Sequence, residues 1–230
     1  MEKKEHRLPI KGMRKQIYKN LAKSAFTIPH ATSMDEVQVD ALMAYKELLN
    51  KQTTVKITYL PIFVKLLPKL LAKHEIFNAT IDEKEKEIVI RTFYNIGIAV
   101  ATDEGLIVPV IKNVDTKTIE EIALDIQELT IKAREGKLTI QNITGGTFTL
   151  SNTGIRGGIY ATPIINYPQA AILGVHAMKE RPVILPNRQI GIGTMMGLSL
   201  SFDHRIIDGE SVGYFMDDLK QFIENPETIG

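Results

Sequence analysis

Hydrophobic residues recur along this chain with two different periods, and the period switches several times. From Thr118 to Arg134, Ile119, Ile122, Ala123, Ile126 and Leu129 follow the i, i+3, i+4, i+7 spacing of one helix face. Gly136 stands where that helix should stop. Gly209–Glu224 repeats the pattern with Val212, Phe215, Met216, Leu219, Phe222 and Ile223 on one stripe. Gly12–Phe26 reads as a helix with Met13, Ile17 and Leu21 set among lysines and arginines. Ala41–Asn50 is a further helix, and Asp40 is placed to cap it. Leu60–Lys73 is almost continuously apolar and predicts a buried helix; Pro61 suits its first turn, while Pro68 should kink or end it.

Other segments alternate with a period of two. Pro29–Asp40 predicts a long strand, Glu83–Thr102 a turn followed by strand material, and Gly105–Lys112 a short buried strand carrying a proline. Gly146–Asn152, Ala170–Met178 and Gln189–Phe202 are further strands, the last two joined by a hairpin turn at Pro186–Arg188. Leu198, Leu200 and Phe202 alternate with Ser199, Ser201 and Asp203, which gives one strand a large apolar face and a small polar one. Interleaved helices and strands predict an α/β two-layer sandwich, a mixed and largely antiparallel sheet with helices on one face. No Pro/Gly/Ser-rich linker divides the chain, so one domain is expected from residue 11 to 230, preceded by a charged tail or linker remnant at 1–10.

Composition narrows the function classes. The 28 basic and 27 acidic residues of this 230-residue chain leave a formal charge of +1, so no charge field favours nucleic acid or an anionic membrane. Cysteine is absent, which excludes disulfides, thiolate metal sites and a cysteine nucleophile, and suits a reducing cytoplasm. The most apolar stretch, Ile57–Ala72, is interrupted by Lys65, Pro68 and Lys69 and falls short of a membrane span. The charged start is followed by no apolar signal core. His30, His74 and His176 have no ligand-spaced partners, so no metal site is expected; His74 reads as a helix-end surface residue. Gly-rich Ile155–Gly158 lacks the strand–loop–helix setting of a phosphate loop and reads as a tight loop near Ser151. Tyr160 is a candidate acyl-pocket residue, whereas Met195 and Met196 read as core.

The chemistry concentrates in "SLSFDHRIIDGES", Ser199 to Ser211. His204 falls at a strand end, and Asp208 stands at the start of the last helix. A strand end followed by a helix start can hold a side chain in one pose. Spacing alone leaves two readings open. In one, Asp208 is a helix cap, Arg205 pairs with Asp203 or Asp208, and His204 is a polar residue in an ordinary turn. In the other, His204 is a general base with a supporting carboxylate.

Asp203-His204-Arg205-Ile206-Ile207-Asp208-Gly209 resembles the signature of the dihydrolipoamide acyltransferases, core components of the 2-oxoacid dehydrogenase complexes. The resemblance runs through Gly145–Gly154, Thr162–Val175, Gly105–Val114, and Ile28–His30 followed by Asp35–Val37, in the family's order. It implies a chloramphenicol acetyltransferase-like fold, residues 11–230 as an acyltransferase catalytic domain, and acyl transfer between dihydrolipoamide and coenzyme A. It further implies His204 as the base that takes the thiol proton, Ser151 as the hydroxyl that stabilises the tetrahedral oxyanion, and Asp208 as a support for the site, with Arg205 its partner and Asp203 alongside. Lys46, Thr58 and Asn152 match coenzyme A positions, while Ala101 stands where some relatives carry a cofactor-contacting aspartate. A homotrimer is implied, with the histidine and serine coming from neighbouring copies. So are a larger core, decarboxylase and dihydrolipoamide dehydrogenase partners, and a lipoyl group on a separate domain. Ser151 tilts the acyl group toward acetyl or branched-chain rather than succinyl. The alternatives are a chloramphenicol acetyltransferase, a Ser151–His204–Asp208 hydrolase without the usual nucleophile elbow, and a non-catalytic scaffold.

Overall fold

The computed structural model describes residues 5–154, 158–185 and 187–229. The elements are α1 (Gly12–Thr27), β1 (His30–Gln38), α2 (Asp40–Gln52), α3 (Tyr59–Lys73), β2 (Ala79–Asp82), β3 (Glu87–Ile90), β4 (Ile96–Ile98), β5 (Val100–Thr102), β6 (Gly105–Ile107), β7 (Val110–Ile111), α4 (Ile119–Arg134), α5 (Ile140–Ile143), β8 (Phe148–Asn152), β9 (Ala171–Ile184), β10 (Ile190–Asp203) and α6 (Gly209–Glu224). Six strands form one mixed sheet in the order β1-β10-β9-β8-β4-β7. The β1–β10, β10–β9 and β4–β7 pairs are antiparallel; β9–β8 and β8–β4 are parallel. The β2–β3 and β5–β6 pairs are separate two-stranded ribbons. Among the described residues no helix is long and apolar enough to cross a membrane.

The period-two pattern of β10 sorts the sheet into two unlike faces. Leu198, Leu200 and Phe202, with Leu173 and Val175 of β9 and Phe148 and Leu150 of β8, enter one core with α2, α3, α4 and α6. The opposite face carries Ser199, Ser201, Gly174, His176, Thr149 and Ser151, as the strand register requires. Its small side chains let other backbone come close. At a bulge between Met196 and Leu198, a Cβ on Gly197 would lie 2.0 Å from the Ile159 carbonyl oxygen. Only glycine admits that contact. Helix α1 flanks this polar face rather than the apolar one: Ser24 Oγ donates to the Ile165 carbonyl at 2.6 Å, and Asn20 Nδ2 to Asn166 Oδ1 at 2.8 Å.

Three local expectations are corrected. Pro68 neither ends nor divides α3, which runs to Lys73. An interior proline costs about 3 kcal/mol. Leu66, Leu67, Leu70 and Leu71 are fully buried around it, and each contributes roughly 1.5–3 kcal/mol. Burial therefore wins. Asp40 does not cap α2. It is the helix's first residue, and its Oδ2 accepts from Gln38 Nε2 at 2.8 Å and Thr194 N–H at 3.1 Å, tying the β1–α2 corner to β10. Gly105–Lys112 is two strands, β6 and β7, separated at Val108–Pro109 and belonging to different sheets. The expected helix starting at Thr118 is sealed by a capping box: Thr118 Oγ1 accepts from Glu121 N–H at 3.2 Å, and Thr118 N–H donates to Glu121 Oε2 at 2.8 Å. Pro186 of the expected hairpin turn, 155–157 of the Gly-rich loop and 1–4 of the tail lie outside the described residues.

Candidate active site

β10 ends at Asp203, and the chain turns through His204–Ile207 into α6. Asp203 is 2% exposed. Arg205 grips it twice, with Nε 2.9 Å from Oδ1 and an Nη 2.6 Å from Oδ2, while the Arg205 backbone N–H donates to Oδ1 at 3.0 Å. The other Nη donates to Glu83 Oε1 at 2.7 Å, in the β2–β3 turn. Hydrogen bonding to Asp203 and Glu83 raises the guanidinium pKa further above its ordinary value, so the pair is charged and saturated. Arg205 therefore partners Asp203 and Glu83, not Asp208. Asp208 is the N-cap of α6, accepting from Ser211 N–H at 3.0 Å. That backbone hydrogen bond is the main cause holding its carboxyl below the usual range. These contacts clamp both ends of the His204 turn.

His204 itself stands exposed at this clamped corner. Its backbone N–H donates to the Pro29 carbonyl at 3.1 Å, and its ring lies 5.4 Å from the Phe202 ring. Among the described residues neither imidazole nitrogen has a hydrogen-bond partner. Ser151 is elsewhere, on β8 opposite Gly174, and faces a cavity beneath α1 and the β5–β6 ribbon. Gly174 pairs with Ser199 on β10, and His204 lies five residues beyond Ser199. Strand geometry places Ser151 and His204 about 17 Å apart along the sheet and about 10 Å across it, close to about 20 Å in all. Within one chain Ser151 and His204 are thus too far apart to form a Ser151–His204–Asp208 triad.

The expected coenzyme A positions fall in two places. Lys46 on α2 has Nζ 4.9 Å from the Tyr59 ring centre and 2.8 Å from Glu47 Oε1. The hydrogen bond to Glu47 is the main cause raising its pKa. Thr58 is exposed at the N-cap of α3, without a side-chain cap bond. Asn50, which the sequence reading passed over, joins the two elements: its Nδ2 donates to the Lys46 and Ile57 carbonyls at 2.8 and 2.9 Å, and its Oδ1 accepts from Ile57 N–H at 2.9 Å. Asn152 is exposed at the end of β8, where its Oδ1 accepts from Gly154 N–H at 2.8 Å. Ala101 is exposed on β5 opposite Leu106. Tyr160 does not line the Ser151 cavity.

His30, His74 and His176 have structural partners. His30 Nδ1 lies 2.9 Å from the Ile28 carbonyl, and its Nε2 accepts from Ile165 N–H at 3.0 Å, which fixes the proton on Nδ1. His74 is not a surface residue: its side chain is 12% exposed, with Nε2 2.6 Å from Asp218 Oδ2. His176 is buried, Nε2 2.8 Å from Ser199 Oγ and Nδ1 3.1 Å from Thr153 Oγ1. Burial pushes its pKa below the usual histidine value. The unfolded chain then binds a proton that the folded chain resists. The cost to stability is absent above about pH 6.5 and grows as pH falls from there toward the depressed folded value. Urea unfolding should show stability declining between about pH 7.5 and pH 5.5, and His176→Gln should flatten part of that decline. An equal slope in the variant would show that other groups carry it.

A mixed sheet with helices on its apolar face, ending in a histidine turn clamped by an Asp–Arg pair and a helix-capping aspartate, has the fold of chloramphenicol acetyltransferase. Chloramphenicol acetyltransferase itself superposes with a TM-score of 0.53 at 14% identity, over 90% of this chain and 92% of that one, a likeness of fold alone. The chain belongs to the 2-oxoacid dehydrogenases acyltransferase (catalytic domain) family, whose model matches residues 2–230. It is 43% identical over 224 residues to the dihydrolipoyllysine-residue acetyltransferase component of the pyruvate dehydrogenase complex of Staphylococcus epidermidis, covering 96% of this chain and 51% of that protein. The chain thus spans about half the length of the curated relatives it matches. Dihydrolipoamide acetyltransferase of Azotobacter vinelandii superposes with a TM-score of 0.92 at 33% identity, covering 98% of this chain and 94% of that one. That structure is described as addressing the role of a serine, a histidine and, four positions after the histidine, an asparagine in its catalytic mechanism. A truncated catalytic core of the 2-oxoacid dehydrogenase multienzyme complex from Thermoplasma acidophilum matches at 39% identity and a TM-score of 0.88, covering 96% of this chain and 99% of that one.

Proposed function

We propose that this protein transfers an acyl group between coenzyme A and dihydrolipoamide, at sites that each join His204 of one copy to Ser151 of the next. The observation that carries the reading is the separation of two unused groups. Among the described residues the His204 ring nitrogens at one edge of the sheet and the Ser151 hydroxyl in a cavity have no hydrogen-bond partner, and about 20 Å of sheet lies between them. A second copy of the chain can supply the missing half of each site. A ring of three copies repeats that contact and closes, and a larger core follows from joining such rings. The decarboxylase and dihydrolipoamide dehydrogenase components are its partners, and the lipoyl group arrives on a separate domain.

The chemistry follows from thiol reactivity. A thiol attacks only as the thiolate, and neutral imidazole at His204 takes the proton. The sulfur adds to the thioester carbonyl, and the carbonyl oxygen gains the negative charge. Ser151 O–H donates to that oxygen. Collapse of the intermediate expels the second sulfur, which recovers the proton from His204. Each direction begins and ends with one thiol, one thioester and a neutral histidine. Asp208 stands four positions after His204, and as N-cap it orients the turn rather than moving a proton. Asp203 and Arg205 hold the same turn from the strand side. Lys46, Thr58 and Asn152 are assigned to coenzyme A contacts.

Acyl exchange between acetyl-coenzyme A and dihydrolipoamide tests the reading directly. Ser151→Ala should lower kcat by about 10²–10³, the usual cost of one oxyanion donor, with little change in KM. A KM effect with unaltered kcat would assign Ser151 to ground-state binding.

A further inference from the structure

Lys46 and Thr58 sit on different elements, α2 and the start of α3, and residues 53–58 between the two helices have no regular structure. Such a connection leaves the spacing of its ends loose unless side chains fix it. Asn50, half-buried near the end of α2, fixes it. Its amide pairs with both backbone groups of Ile57, as a neighbouring strand would. Oδ1 accepts from the Ile57 N–H at 2.9 Å, and Nδ2 donates to the Ile57 carbonyl at 2.9 Å. Nδ2 also donates to the Lys46 carbonyl, one turn back, at 2.8 Å. Both amide donors are then used, and the backbone of Lys46 is tied to the residue before Thr58. Ile57 is 2% exposed and enters the core, so the brace has a fixed end. The side chains held by the brace remain open to a ligand. Thr58 spends no side-chain bond on capping α3. Lys46 Nζ lies 4.9 Å from the Tyr59 ring centre, and its ion pair is with the exposed Glu47, a weak competitor for a bound anion.

We propose that Asn50 is a positioning residue for coenzyme A: its amide sets the spacing of the Lys46 ammonium and the Thr58 hydroxyl, so that the two meet the anionic cofactor together. The inference rests on the assignment of Lys46 and Thr58 to coenzyme A above, and adds the residue that holds them in register. Asn50 spends its own polar groups within the chain and acts through the other two. The geometry requires an amide. A carboxylate of the same shape would still accept from the Ile57 N–H, but it would set oxygen against the Lys46 and Ile57 carbonyls, acceptor facing acceptor. Alanine removes all three bonds. Either change loosens residues 53–57 and turns recognition at two linked points into recognition at two independent ones. The Asn50 bonds do not reach β8 or the His204 turn, so the proton transfer and the oxyanion contact are left as they are.

The test measures acyl transfer from acetyl-coenzyme A to free dihydrolipoamide by the assembled protein, with a separate KM for each substrate, beside calorimetric titration with coenzyme A. Asn50→Ala should raise the KM for acetyl-coenzyme A and the Kd for coenzyme A about tenfold, while kcat and the KM for dihydrolipoamide stay within about twofold of wild type. Asn50→Asp, which keeps the shape and so guards against a folding defect, should raise the same two constants at least as much. A general structural role would not produce that split between substrates. Equal rises in both KM values, or an Asn50→Asp protein that binds coenzyme A like wild type, overturns the inference. Lys46→Ala and Thr58→Ala separate it from the reading beneath it. If they weaken coenzyme A binding and the Asn50 variants do not, the positioning role fails and the coenzyme A assignment stands. If none of the four variants weakens it, the assignment fails and the inference falls with it.

Discussion

His204→Ala should lower acyl transfer by about two to four orders of magnitude while the protein still folds and assembles. The size follows from the role. A positioned general base contributes about 10²–10⁴, and without it the attacking thiol relies on the small thiolate fraction present near neutral pH. Survival of the fold follows from the contacts. His204 is exposed, and its side chain makes no hydrogen bond among the described residues. The clamps on its turn belong to other side chains: Asp203 with Arg205, Arg205 with Glu83, and Asp208 with the α6 backbone. The backbone bond from His204 N–H to the Pro29 carbonyl is unaffected by the side chain. Alanine therefore removes the Phe202 ring contact and the base, and little else. Steady-state turnover with acetyl-coenzyme A and dihydrolipoamide, beside sedimentation velocity of the same sample, separates the two effects. Near-normal turnover by a normally assembled variant would remove His204 from proton transfer.

How much of this was legible beforehand depended on the sequence separation of the partners. The His204 turn could be read because its contacts are local: Arg205 reaches back two residues to Asp203, and Asp208 caps three residues ahead. β10 and α6 are just as direct, since alternation and a helical stripe meet at the residues where the strand ends and the helix begins. What failed depended on distance. Asp40 read as a cap because Thr194, which claims its carboxylate, lies 154 positions away. Glu83 offered no signal for Arg205, 122 positions on. Pro68 read as a break because its local cost is visible in the chain, whereas the surrounding packing that outweighs it is not. His74 looked like a surface residue for the same reason, with Asp218 lying 144 positions downstream. The family motifs singled out Ser151 and His204. The register of β8, β9 and β10 supplies the distance between them, which no motif contains.

That distance leads to the second large effect. Ser151→Ala and His204→Ala should each be nearly inactive alone, yet co-expression of the two in equal amounts should restore about a quarter of wild-type activity. In the proposed closed ring each site would take its serine from one copy and its histidine from the neighbour. A random hybrid places an intact Ser151 on one side of a contact in half the cases, and an intact His204 on the other side in half of those. About one contact in four is then complete. If each site lay within a single chain, every chain in the hybrid would carry one broken residue, and mixing would return only the mean of two nearly inactive parents. The background is low enough for the contrast to be clear, because Ser151→Ala alone should retain at most about one part in a hundred. Co-purification on two different tags establishes that the hybrid contains both variants, and turnover per active ring then reads the geometry. A tagged hybrid no more active than its parents would place a complete site inside one copy. That outcome would require the sheet to bring Ser151 within a few ångströms of His204, against a strand register that separates them by about 20 Å.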